Sequence, residues 1–111
     1  MVSIVIEKSD GHYHRILCCG HAGYAKSGED IVCAAVSILV INTVNAIDRL
    51  TQTRFQLHSD DSEGYIEAVF NQGITDQARL LLDTMAMGLE EIQTQYPDFL
   101  TLTRTDFDNG L

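Results

Sequence analysis

The sequence predicts an α+β fold of order ββαββαβ, with two helices packed on a sheet of roughly five strands. Three observations predict it. Short β-branched segments flank an Asp10-Gly11 turn signal. A long apolar run from Ile31 to Arg54 holds neither Gly nor Pro. A second apolar series recurs at spacings of three and four from Ile74 to Tyr96 and stops at Pro97.

Val2–Glu7 is apolar and β-branched, so it reads as a strand. Asp10-Gly11 follows, and both residues tolerate positive φ, which suits a two-residue hairpin. Tyr13–Cys19 is the return strand, with Tyr13, Arg15, Leu17 and Cys19 on one face and His14, Ile16 and Cys18 on the other. Gly20–Asp30 carries Gly20, Gly23 and Gly28 and reads as a mobile loop.

In the run from Ile31, residues Val32, Val36, Leu39, Val40, Thr43 and Ile47 fall at helical spacing. Ile38, Ile41, Val44 and Leu50 widen the apolar surface, as in a helix buried on most sides. Its β-branched content also suits a strand, and its length decides for helix. Phe55–Ser59 and Tyr65–Phe70 alternate as strands joined by the turn Asp60-Asp61-Ser62-Glu63-Gly64. The second helix opens with Thr75 and Asp76, which suit a helix N-terminus. Phe99–Thr103 is the last strand. No repeat, linker or low-complexity segment interrupts the order, so residues 1–111 read as a single domain.

At 111 residues, 45% hydrophobic and 21% charged, the chain suits a globule that holds a core without staples. Net charge is −9, and all of it falls in one half. Residues 1–55 carry five acids and five bases, whereas residues 56–111 carry eleven acids against Arg79 and Arg104. Such a surface repels nucleic acid and anionic lipid and favours basic partners, besides keeping the protein soluble. Three cysteines, Cys18, Cys19 and Cys33, argue against a disulfide framework. The N-terminus lacks the basic region of a secretory signal. The stretch Ile31–Ile47 is short of the ~20 residues that span a bilayer. The expectation is a cytoplasmic protein with reduced thiols.

Chemistry concentrates between Gly20 and Ser37. With Asp30 as N-cap, Cys33 falls in the first helical turn, beside unpaired N–H groups and the positive end of the helix dipole. Helix starts are where reactive thiolates are found, and the same N–H groups can hold an oxyanion. A free Cys is also commonly a small buried hydrophobe. His21 ends a strand and opens the loop that leads into the Cys33 helix. Within hydrogen-bond reach it would take the thiol proton and return one to a leaving amine. Asp30 suits a cap, a His21-orienting acid, or both. Ser37 shares a helical face with Cys33, where it can bond the sulfur, the substrate or the Cys33 carbonyl. The three glycines suit a lid.

Other chemistries fit less well. His12, His14, Cys18, Cys19, His21 and Cys33 are zinc-competent types, but there is no Cys-x-x-Cys, and adjacent strand cysteines point to opposite faces. Asp60-Asp61-Ser62-Glu63 lacks the spacing of a calcium loop. No phosphate loop follows the glycines. No cofactor or metal is expected.

The stretch Gly20-His21-Ala22-Gly23-Tyr24-Ala25, then Gly28, Asp30, Ile31-Val32, Cys33-Ala34-Ala35 and Ser37, resembles the signature of the ribosomal-processing cysteine protease family, Prp. The resemblance implies a small cytoplasmic endopeptidase that removes the N-terminal extension of a large-subunit ribosomal protein and acts as a homodimer. It implies Cys33 as nucleophile and His21 as general base. Gly20, Asp30 and Ser37 are implied as supporting residues, and residues 22–29 as a mobile loop. It implies neither a cofactor nor direct contact with nucleic acid or membrane. The competing expectation is a non-catalytic acidic module that grips a basic ribosomal or ribosome-assembly protein.

Overall fold

The structure, a computed structural model, describes residues 1–20, 29–60 and 64–107. The glycine-rich segment 21–28, which includes His21, lies outside the described residues, as do Asp61, Ser62 and Glu63. The expected lid and part of the acidic turn therefore fall outside them too.

The elements follow in the order β1 (Val2–Ser9), β2 (His12–Cys19), α1 (Glu29–Leu50), β3 (Gln56–Asp60), β4 (Tyr65–Val69), α2 (Asp76–Gln95) and β5 (Leu100–Phe107). The order ββαββαβ expected from the sequence is the one found. The strands form one sheet, β3-β4-β2-β1-β5. β1 pairs with β2 antiparallel and with β5 parallel, so the sheet is mixed. β4 lies antiparallel between β2 and β3.

Asp10 and Gly11 turn β1 into β2 with φ of 51° and 79°. Both angles are positive, as the tight hairpin requires. The register then slips. Ser3 to Glu7 pair with Cys19 to Arg15 one for one, but Lys8 pairs with Tyr13, leaving His14 as the extra residue of a bulge. Phe70 N–H donates to the His14 carbonyl at 2.8 Å. The bulge corrects the expected alternation of β2. Tyr13 joins Ile16 and Cys18 in the buried set, while Arg15, Leu17 and Cys19 are half-buried. The Tyr13 hydroxyl donates to Asp83 Oδ1 on α2 at 2.5 Å.

Val2, Ile4, Ile6, Ile16, Cys18, Ala68 and Leu100 line the covered face of the sheet. Against them α1 buries Val32, Val36, Val40, Val44 and Ile47, and α2 buries Ala78, Leu82, Met85, Ala86 and Leu89. Each fully buried Val, Leu or Ile of this layer contributes about 1.5–3 kcal/mol. On the opposite face Arg15 pairs with Glu7 at 3.1 Å and with Glu67. The Arg15 hydrogen bond holds the Glu67 carboxyl below its ordinary range.

α1 ends at Leu50 rather than at Arg54. Thr51 stops it: its hydroxyl bonds back to the Ile47 carbonyl at 2.7 Å and accepts from Thr53 N–H at 3.1 Å. Thr53 then ties the end of α1 to the start of α2. Its hydroxyl lies 3.0 Å from that of Thr75 and accepts from Thr75 N–H at 2.9 Å. Thr75 is the N-cap of α2 and accepts from Ala78 N–H.

Over Ile31–Leu50 α1 reaches a mean hydropathy of 1.9 and is long and apolar enough to cross a membrane. That corrects the expectation that the apolar stretch is too short. One third of this span is buried, with Val32, Val36, Val40 and Ile47 packed on the sheet, whereas Ile31, Ile38, Ile41 and Leu50 are exposed, so the helix is buried on one face and not on most sides as expected.

Candidate active site

Two segments converge at the C-terminal end of β2. The first is the end of the β2–β4 ladder. Its last strand pair is Cys19 with Tyr65. One step beyond, Gly20 N–H donates to the Gly64 carbonyl at 2.7 Å, extending the ladder past both strands. The second is the start of α1, which carries Cys33. The Cys33 side chain is half-buried and packs against the core. A Cβ built on Gly20 would lie 3.4 Å from the Cys33 sulfur. The thiol therefore sits against the strand end from which the chain leaves toward His21.

Helix α1 begins at Glu29. Asp30 is then the second helical residue rather than the N-cap, and Cys33 the fifth. The expected placement of Cys33 in the first turn is thus displaced by two residues. The physical consequence is modest. Helical side chains lean toward the N-terminus of their helix, so a fifth residue still covers the first turn. The N–H groups that have no partner within the helix lie on that turn, before Cys33.

The other two thiols separate by face. Cys18 is buried on the helix side of the sheet, on the same side as the Cys33 sulfur. Burial pushes its pKa up to about 12, and the neighbouring Cys19 and Cys33 push in the same direction. Cys18 stays protonated at neutral pH and is no rival nucleophile. Cys19 is half-buried on the opposite face, where it pairs with Ser3 and Tyr65. All three cysteines are free.

Of the residues singled out in the sequence, the structure brings Gly20 and Cys33 side by side. Ser37 is half-buried one helical turn beyond Cys33. Asp30 lies in the same helix, one turn before it. His21 lies outside the described residues. Among the described residues no group of three or more His, Cys, Asp or Glu could hold a metal ion.

Gly64 is the residue that sequence reasoning missed. It read as the end of an acidic turn. In the structure its φ is +63°, and a Cβ on it would lie 2.4 Å from the Gly20 carbonyl oxygen. The only sequence signal was a glycine closing a turn, which by itself indicates a bend and no site.

Known proteins are similar to this chain over most of its length. The family model described as Cysteine protease Prp matches residues 1–101. The ribosomal processing cysteine protease Prp of Staphylococcus aureus is 33% identical over 103 residues, covering 92% of this chain and 97% of that protein. The crystal structure of the essential ribosomal processing protease Prp from S. aureus with a substrate peptide superposes with a TM-score of 0.89 at 30% identity. It covers 95% of this chain and 100% of that one. A second crystal structure of the S. aureus protease, with a covalently linked product peptide, gives a TM-score of 0.84 at 32% identity and the same coverage.

Proposed function

The chain belongs to the Prp family and is a cysteine protease, and from this premise we propose that Cys33 is its nucleophile and His21 its general base. The substrate in this reading is the N-terminal extension of a basic large-subunit ribosomal protein. The enzyme works in the cytoplasm as a homodimer, without a cofactor. Gly20, Asp30 and Ser37 support the centre. The observation that supports the reading is the closeness of the Cys33 sulfur to Gly20, 3.4 Å from where a Cβ would stand on the residue that precedes His21 in the chain.

His21 takes the Cys33 proton as the sulfur attacks the scissile carbonyl carbon. The carbonyl oxygen becomes an oxyanion, held by free N–H groups of the first turn of α1. Collapse breaks the C–N bond, and His21 returns the proton to the leaving amine. A thioester to Cys33 remains. Water, activated by His21, then hydrolyses it and restores the thiol. The covalently linked product peptide on the S. aureus protease supports a covalent route of this kind.

The test is to mix the purified protein with the unprocessed large-subunit ribosomal protein, beside a Cys33→Ala control, and read the products by mass spectrometry. A single N-terminal cut made by the wild type alone is expected. No cut, with a stable complex in both samples, would favour the non-catalytic acidic module instead.

A further inference from the structure

We propose that Gly64 is a positioning residue for the Cys33 centre, acting through Gly20. Gly20 N–H donates to the Gly64 carbonyl at 2.7 Å. The space where a Gly64 side chain would begin is filled by the Gly20 carbonyl, whose oxygen would lie 2.4 Å and carbon 3.0 Å from a Cβ. Gly20 is thus held at its amide by Gly64, and its carbonyl fills the space that a Gly64 side chain would need. Those two groups set the direction in which the chain leaves β2.

Two things depend on that direction. Gly20 lies against the Cys33 sulfur, with 3.4 Å from its Cβ position to Sγ. It is also bonded to residue 21, the base of the proposed mechanism. A shift of Gly20 moves the wall beside the nucleophile and the root of the base together. Gly64, just before β4, therefore tunes the spacing of a site to which it adds no reacting group.

The required contact distinguishes Gly64 from the other positive-φ glycines. Gly73 has φ +81° and Gly11 φ +79°, yet neither has an atom within 4 Å of its Cβ position. A side chain at Gly73 meets backbone strain alone. One at Gly64 meets strain and the Gly20 carbonyl. Asn tolerates positive φ better than other side chains, so Gly64→Asn lessens the strain and keeps the clash.

The experiment compares Gly64→Ala, Gly64→Asn and Gly73→Ala with the wild type. Three quantities are read: thermal stability, the pH profile of iodoacetamide alkylation at Cys33, and kcat and KM for cleavage of the unprocessed ribosomal protein. Both Gly64 variants are expected to lose kcat by roughly tenfold to a hundredfold, as for a misplacement of about 1 Å, with KM little changed. Their alkylation profiles are expected to be displaced from the wild type. Gly73→Ala is expected to lose stability while its profile overlays that of the wild type. A folded Gly64→Asn enzyme that alkylates and cleaves like the wild type would overturn the proposal, as would an equal displacement in Gly73→Ala. The inference rests on the proposed Cys33–His21 chemistry. A wild type that cuts nothing refutes that chemistry, whereas the alkylation profiles still report on Gly64.

Discussion

The Cβ position of Gly20 lies 3.4 Å from the sulfur of Cys33. A methyl group placed there would touch the thiol at van der Waals distance. Glycine at this position leaves that flank of the sulfur without a side chain.

Gly20→Ala is therefore expected to slow both alkylation of Cys33 and peptide cleavage, by about tenfold or more. Stability is expected to change little, because the Gly20 backbone has no positive φ to lose. Parallel rates of iodoacetamide labelling and thermal melts check this.

Cys18 makes stability fall at alkaline pH. Its pKa rises from an ordinary 9.0 to about 12 on folding, chiefly through burial. Below its ordinary value both states keep the proton, and the folded state loses nothing. Above it the unfolded chain releases the proton while the folded chain holds it, so stability drops as pH rises. The slope attributable to one such group is about 1.4 kcal/mol per pH unit. Urea unfolding between about pH 9 and 10 is expected to show a shallower fall in Cys18→Val than in the wild type. Equal slopes would place the Cys18 thiol in water.

Thr75 caps α2 and bonds Thr53, which follows α1. Thr75→Ala removes the cap acceptor and the partner of the Thr53 hydroxyl. A loss of about 1–2 kcal/mol is expected by denaturant unfolding. Thr75→Ser keeps the hydroxyl and is expected to recover most of it.

These residues show how far the sequence could be read. The seven elements were legible because each has a local cause: the Asp10-Gly11 turn, the periodicity from Val32 to Ile47, the Thr75 cap, and Pro97 after α2. The bulge at His14 was not, because it arises from the pairing of β2 with β1 and β4 and leaves no mark within Tyr13–Cys19. It carried Tyr13 from the predicted company of Arg15 to that of Ile16. The strand order, with β5 parallel beside β1, was equally hidden. Cys33 stood out as a site residue because its neighbours in the chain form a dense motif. Gly64 did not, since its contact with Gly20 spans the β2–β4 ladder.

The most direct test of Cys33 as nucleophile is the acid-quenched intact mass of the enzyme during turnover of the unprocessed ribosomal protein, followed by peptide mapping. The account predicts a transient adduct on Cys33, equal in mass to the released N-terminal extension less one water, and absent in Cys33→Ala. Undiminished cleavage by Cys33→Ala, or an adduct mapped to Cys19, would contradict it.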